Sequence, residues 1–489
     1  MNELRFNEET LRDGQQSLWA NRMTTKAMLP IASTLDNAGF SSINIMSGSA
    51  FESCVLYLNE DPWERLHLLG QLMSKTDLQI LIRGRSAFGW RRFPNDAIEL
   101  LIKCLKNTGI QGIAVFDGLN DMSNIAWHIK VAKDIGLQIH PALVFTDSPV
   151  HTDKYYGAKA RECVELGVDS VTLADASGLL TPERVRTLIP TLREALGDGK
   201  ELGFVSHDAT GLASANYFEA IRQGVNNVST ASRPLAYGNS IPWTEEIIAF
   251  AREQGYEVKV NDLMRKKIDD HFFWVAYDDK KPLGQRVPFN PIKVRKYAQH
   301  QIPGGMMSHL VSQLKNLELE HRFPEVLEEA GRVRQELGYP VMVTPFSQIV
   351  GVQAVFNVIE GERYKTMPSD LLQYARGYYG KPAAPIDPDI LDRIFEGKYE
   401  EPVDQEEFFL EPLVDKVRAK IGAYRSDEEL LLELFFSHPT LEKFHKNKKT
   451  IEFPVTRLPL STLIRELSKR KDISRVRLQK GALRLEQIF

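Results

Sequence analysis

Short apolar runs recur about 30 residues apart through the first half of the chain, and helix-length amphipathic stretches lie between them. The runs are Ser42 to Met46, Leu78 to Ile82, Gly112 to Phe116 and Ile139 to Val144, then Ser170 to Leu173, Leu202 to Val205 and Asn227 to Thr230. Asp96 to Thr108 and Pro182 to Leu196 read as helices between runs, and Thr181-Pro182 supplies an N-cap followed by proline at the first helical position. An eighth short strand is expected to lead into Leu11-Arg12-Asp13. Eight βα units in about 240 residues predict a (β/α)8 TIM barrel. The alternative is an open doubly wound sheet. No Gly-x-Gly-x-x-Gly follows the first strand, which disfavours its dinucleotide-binding form.

In such a barrel the chemistry sits where strands end. The residues expected there are Asp13, Met46, Ser47, Arg83, Asp117, Asp175, His207 and Asp208. Polar residues at strand ends are ordinary loop starts, but a set drawn from several strands converges on one mouth.

The beat stops near residue 260. Residues 305–400 read as mainly helical, with proline punctuation at 382–388, and 401–489 starts acidic and ends basic. The expected organisation is a barrel domain over 1–285, a helical domain over 286–400 and a small extension over 401–489, which is also a candidate docking unit. Lys443, His445, Lys446, Lys448, Lys449 and the run from Arg465 to Lys471 read as a solvated helix face or as a docking surface for an acidic partner. Ser474 to Leu478 and Leu483 to Leu485 alternate like two short strands around Lys480-Gly481.

Net charge is −4, from 61 basic and 65 acidic residues, so nothing asks for a nucleic-acid partner. Cys54, Cys104 and Cys163 show no CxxC spacing, which points to a reducing compartment. Met1 to Asp13 has no apolar signal-peptide core, and no run of about 18 apolar residues exists. A cytoplasmic protein without a membrane span is expected.

Several strings resemble one family. They are Glu9-Thr10-Leu11-Arg12-Asp13-Gly14-Gln15-Gln16-Ser17-Leu18, Leu58 to Leu66 (LNEDPWERL), Ile82-Arg83-Gly84, Gln301 to Met306 (QIPGGM), Ser312-Gln313-Leu314, Val343 to Gly351 (VTPFSQIVG) and Tyr379-Gly380-Lys381-Pro382. In order and spacing, over about residues 5–400, they are similar to the carboxyltransferase portion of biotin-dependent enzymes. That portion is found in the carboxyltransferase subunit of multi-subunit pyruvate carboxylases, in the oxaloacetate decarboxylase alpha chain and in the transcarboxylase 5S subunit. The resemblance implies a barrel with a helical funnel domain over its mouth. There, carboxybiotin and the enolate of a 2-oxo acid exchange CO2, with a divalent metal polarising the oxo group.

The family's metal ligands are the Asp of the LRD motif, a carboxylated Lys ending strand six and both His of an HxH after strand seven. Here Asp13 and His207 match, but Ala174 stands at the lysine position and Val205 at the first histidine. Two protein ligands fall short of the three typical of catalytic sites, so tight metal binding is not expected unless Asp175 or water fills in. Other mouth positions depart too: Gly14-Gln15 in place of the usual Ala-His, Met46 for a tryptophan, Trp90 for a tyrosine and Ala209 for a threonine. Three features match. The resemblance implies that Arg83 and Gln16 bind substrate and that Thr344 passes a proton between biotin and the substrate carbon. Read as plain residues, Arg83 is an ion-pair partner, Gln16 a loop hydrogen bonder and Thr344 a helix cap.

No biotinylation string of the Ala-Met-Lys-Met type and no ATP-grasp module is present. Biotin, if used, is therefore expected on a separate carrier chain, with a biotin carboxyl carrier protein and a biotin carboxylase subunit as partners. Ser426 to Phe444 resembles the helical segment after the funnel in decarboxylase alpha chains. Three readings stay open. The chain is a carboxyltransferase subunit for a small acid or acyl substrate. Or it is a non-catalytic paralogue that holds an active carboxyltransferase or carrier chain. Or it is a repurposed lyase- or synthase-type barrel. Family analogy adds a homodimer or hetero-oligomer.

Overall fold

The computed structural model describes residues 2–88, 91–303, 306–307, 310–311, 314–315, 318–395, 410–422, 426–451, 467, 475–480 and 483–488. Trp90, Gly304, Gly305, Ser312, Gln313 and the acidic stretch 401–407 lie outside these residues, as does most of the basic run 465–471.

Eight strands form one closed, all-parallel barrel. They are β1 (Arg5–Glu8), β2 (Ser42–Ser47), β3 (Asp77–Arg83), β4 (Gly112–Phe116), β5 (Gln138–Val144), β6 (Ser170–Asp175), β7 (Glu201–Ser206) and β8 (Asn227–Thr230). Pairing of β8 with β1, Phe6 opposite Val228 and Glu8 opposite Thr230, closes the ring and excludes an open sheet. The expected helices form at Asn95–Asn107 and Pro182–Leu196. Thr181 caps the latter by accepting the Arg184 N–H at 3.3 Å.

Alternation along the strands sorts the side chains. Ile43, Ile45, Ile80, Ile82, Val115 and Phe204 face outward and are fully buried against the helices. Many inward positions are polar: Asn7, Asn44, Gln79, His140, Thr172 and Ser229 line a cavity of about 840 Å3, with Leu81, Val144 and Val205 beside them. Most barrels fill that space with branched aliphatics. Here the barrel–helix layer carries the hydrophobic core, and the lumen is left open with a mixed polar and apolar lining.

A second hydrophobic cluster lies among the helices Phe323–Glu336, Phe346–Glu360, Ser369–Ala375 and Pro388–Phe395. It reaches the barrel through Leu119, in the loop after β4. Arg334 bolts the two together: buried at 4 % exposure, it donates to Thr146 Oγ1 at 2.9 Å and to the Asp147 carbonyl at 3.1 Å.

The chain then returns to the barrel. Helices Val414–Ile421, Asp427–Phe435 and His438–Asn447 follow one another, and Leu430, Leu431, Leu434, Leu441 and Phe444 join the barrel's own core cluster. Phe435 packs against Phe93 (5.0 Å between ring centres), Phe88 (5.8 Å) and Phe51 (6.1 Å). His67 meets Glu428 at 2.7 Å, and Lys448 meets Asp61 at 2.8 Å. Lys448, read above as part of a solvated or docking face, is therefore held by the barrel. Arg475–Lys480 and Leu483–Ile488 form the expected antiparallel pair. Among the described residues no helix is long and apolar enough to cross a membrane.

Candidate active site

The strand-end residues gather at one mouth. Asp13 sits in a single helical turn, Thr10–Gly14, just after β1, Arg83 ends β3, Asp175 ends β6 and His207 follows β7. Asp13, Gln16, Arg83 and His207 line the upper part of the barrel cavity. Met342, Thr344, Ser347 and Gln348 of the helical layer form its roof. Residues more than 250 positions apart in sequence thus enclose one space.

Arg83 projects from the end of β3 and donates to Ser49 Oγ at 2.5 Å. Ser49 belongs to the short helix Gly48–Ser53, which Ser47 caps by accepting the Ala50 N–H at 3.3 Å. Glu52 lies on the same helix; burial pushes its carboxyl up to about 7, and the Arg83 charge opposes the rise. Sequence reasoning misses Ser49 and Glu52 as partners of Arg83, although their place directly after a strand end is a usable signal. Gln16 Oε1 accepts from Ser47 Oγ at 2.7 Å, which orients the amide in the cavity. Thr344 precedes the helix Phe346–Glu360, whose N-cap position is Pro345, so Thr344 is not the cap. Its hydroxyl faces the cavity and accepts from Gln348 Nε2 at 3.5 Å.

Asp13 and His207 meet directly, Oδ1 to Nε2 at 3.3 Å. Arg12 adds a guanidinium at 2.9 Å. Burial alone would raise the Asp13 carboxyl, but His207 and Arg12 outweigh it and hold it at about 2. His207 Nδ1 pairs with the Asn239 carbonyl at 2.7 Å. Asp175 is already engaged: Oδ1 accepts from Leu179 N, and Oδ2 accepts from Leu180 N and Ser206 Oγ, all within 2.9 Å, and its side chain is fully buried. Its carboxylate is spent on the turn after β6. Ala174 and Val205 belong to a small apolar cluster with Ala231, Ala236, Tyr237 and Ile241, so a hydrophobic wall stands where donors are needed. Among the described residues no group of three His, Cys, Asp or Glu side chains is placed to hold a metal ion. The donor set does not fit the metal that the resemblance implies. Dialysed protein is expected to carry substoichiometric zinc, manganese and cobalt by elemental analysis, and Val205→His, which supplies a third ligand, is expected to raise that content. Stoichiometric metal in the unaltered chain would contradict this reading.

The roof is fixed close to the mouth by Tyr379-Gly380-Lys381. Asn124 donates to the Tyr379 carbonyl at 2.9 Å, and Asp121 accepts the Lys381 N–H at 2.9 Å. Gly380 adopts φ +110°, and a Cβ there would lie 2.6 Å from Asn124 Nδ2, so this contact requires glycine.

Residues 298–485 match the conserved carboxylase domain family, and residues 118–275 match the HMGL-like family. A pyruvate carboxylase subunit of Methanocaldococcus jannaschii is 39% identical over 87% of this chain and 74% of its own length. The 2-oxoglutarate carboxylase large subunit of Hydrogenobacter thermophilus is 34% identical over 90% of this chain and 68% of its own length. The carboxyl transferase domain of Rhizobium etli pyruvate carboxylase superposes with a TM-score of 0.81 at 26% identity, covering 91% of this chain and 77% of that one. A closed barrel roofed by helices, a mouth carrying Arg83, Gln16 and Thr344, and relatives of this similarity agree: the chain belongs to the carboxyltransferase family of the biotin-dependent carboxylases.

Proposed function

We propose that this chain moves a carboxyl group between carboxybiotin, carried on a separate polypeptide, and a small 2-oxo acid. The observation that carries this is the enclosure of Arg83, Gln16 and Thr344 in one cavity between barrel and roof. Arg83 is suited to grip the acid's carboxylate or an enolate oxygen, because a guanidinium presents paired donors to paired acceptors. Ser49 accepts a hydrogen bond from that guanidinium, and the Glu52 carboxyl acts on it electrostatically. Gln16, oriented by Ser47, supplies a neutral hydrogen bond that fixes the ligand's rotation. Thr344 sits opposite, on the roof, where its hydroxyl would pass the proton lost by the substrate carbon to the biotin nitrogen that gives up the carboxyl. No step is routed through a metal, because the donor set does not support one. The enolate charge is met by the guanidinium, whose donors are already oriented before the ligand arrives.

A biotin carboxyl carrier protein and a biotin carboxylase subunit complete this reading as partners. The test is transfer of labelled carboxyl from a carboxylated biotinyl carrier to a 2-oxo acid by the purified chain. Label appearing in the acid supports the proposal. Stable carrier binding without transfer would point instead to a chain that only holds its partners.

A further inference from the structure

The cavity does not end at the mouth. Its lining continues down the inside of the barrel through Thr172, Ser229, Gln79 and His140, and reaches Arg5 and Glu201 where the strands begin. Small residues keep this passage open. A Cβ on Gly203 would lie 2.7 Å from both Thr172 Oγ1 and Asn227 Oδ1, and one on Gly112 would lie 3.3 Å from His140 Nε2. Ala114 and Ala142 add only methyl groups to the wall. At about 3.3 Å per residue, Leu81 lies about 7 Å and Gln79 about 13 Å from Arg83 along β3.

The lining changes character with depth. Near the strand ends Leu81, Ala142 and Val205 make it apolar. Deeper, the side chains are neutral and polar, and several spend nothing on the protein. Among the described residues, the Gln79 amide and the Thr172 and Ser229 hydroxyls have no hydrogen-bond partner. His140 Nδ1 pairs with Ser170 Oγ at 2.6 Å, but its Nε2 is buried without a partner. Burial lowers the His140 pKa, so the ring is neutral at pH 7.

The charged groups stand at the two ends of the passage and are engaged there. Glu9 pairs with Arg12 at 2.7 Å near the mouth; at the floor Arg5 pairs with Glu201, and Asp77 accepts from Gln138 Nε2 at 3.0 Å. Between the ends a charged tail meets no counter-ion. An apolar tail would strip water from the deep amide, hydroxyls and imidazole and return no hydrogen bond, which is unfavourable. A hydroxyl both donates and accepts, and so suits each of them.

We propose that the lumen is a site for the substrate's tail, and that it takes a 2-oxo acid with a hydroxylated chain. Arg83 holds the carboxylate, C3 stays at the mouth under Thr344, the next carbons pass Leu81 and Val205, and the hydroxyls beyond them meet Thr172, Ser229 and Gln79. This rests on the carboxyl-transfer reading above.

Calorimetric titration of the full chain with 7-hydroxy-2-oxoheptanoate and with 2-oxooctanoate isolates one hydroxyl, because the two acids differ only in a terminal hydroxyl or methyl group. The hydroxy acid is expected to bind about 10-fold more tightly, the gain from one or two hydrogen bonds. Thr172→Val and Gln79→Met, which remove hydrogen-bonding groups at similar size, should each shrink that ratio. Ala114→Leu, which narrows the passage, should weaken the hydroxy acid more than it weakens pyruvate. Equal affinities in the unaltered chain, tighter binding of 2-oxooctanoate, or binding of neither acid would overturn the proposal, and that comparison needs no variant. The carrier assay separates the two claims. A hydroxyl preference in binding with no label reaching either acid leaves the lumen site standing and removes the transfer reading. Label reaching 2-oxooctanoate as readily as the hydroxy acid leaves transfer standing and removes the lumen site.

Discussion

Thr344→Val is expected to slow carboxyl transfer by about 10²–10⁴-fold, the usual contribution of a positioned proton-transfer group, with little change in KM. Valine keeps the shape of threonine and removes the hydroxyl, so the loss reports on the proton relay rather than on a hole in the roof. Thr344→Ser keeps the oxygen and is expected to retain most of the rate. A neutral alcohol is a poor base, so its usefulness depends on where it is held. The Gln348 amide on one side and the closeness of the roof to Arg83 on the other supply that placement. Single-turnover transfer from a carboxylated carrier is the measurement to make. An unchanged rate in the valine variant would remove Thr344 from the chemistry.

Arg65→Met should destabilise the chain by about 3–5 kcal/mol, the range for breaking a buried ion pair by removing one partner. Arg65 is fully buried and meets Glu60 at 2.7 Å. It also donates to Thr25 Oγ1 at 2.7 Å and to the Met23 carbonyl at 3.1 Å, while Thr25 donates to Glu60 through both its N–H and its hydroxyl. Methionine fills similar space but leaves the Glu60 charge buried without its cation. Replacing Glu60 by glutamine as well is expected to return part of the loss, which a double-mutant cycle measures. The sign with pH follows from the carboxyl. Burial raises the Glu60 pKa, but Arg65 and Thr25 outweigh it, so the folded value lies below the ordinary 4.5. A depressed acid contributes stability above its unfolded value and loses it as pH falls through the folded one. The gap between the two proteins in urea melts should therefore be full at neutral pH and narrow below about pH 4.5. A constant gap across that range would mean that packing, not charge, explains the loss.

How far the sequence could be read depended on the range of each interaction. The barrel was legible because a strand buried on its outer face alternates, as in Asp77-Leu78-Gln79-Ile80-Leu81-Ile82-Arg83, and because the beat of strand and helix is local. The ends of strands were legible for the same reason, which placed Asp13, Arg83 and His207 at one mouth. Neighbours across the fold were not. Nothing in the order of residues says that Asp175 gives its carboxylate to the turn behind it, or that Arg85 and Arg92 come to face Thr344 from about 250 residues away. The polarity of the lumen was visible residue by residue at Asn7, Asn44 and His140, but its meaning as open space needed the closed ring. The return of residues 414–447 to the barrel was hidden for a plainer reason: amphipathic helices announce a buried face and not the surface that buries it.

That return bears on synthesis. Phe51 and Phe88 leave the ribosome in the first fifth of the chain, whereas Phe435, which covers them, comes near its end. At ~5–20 residues per second, tens of seconds separate their emergence. Through that interval the nascent barrel holds an aromatic face open beside its growing mouth. Chaperone demand, and sensitivity to interruption of synthesis, should therefore be set by the arrival of residues 414–447 rather than by the barrel that they cover.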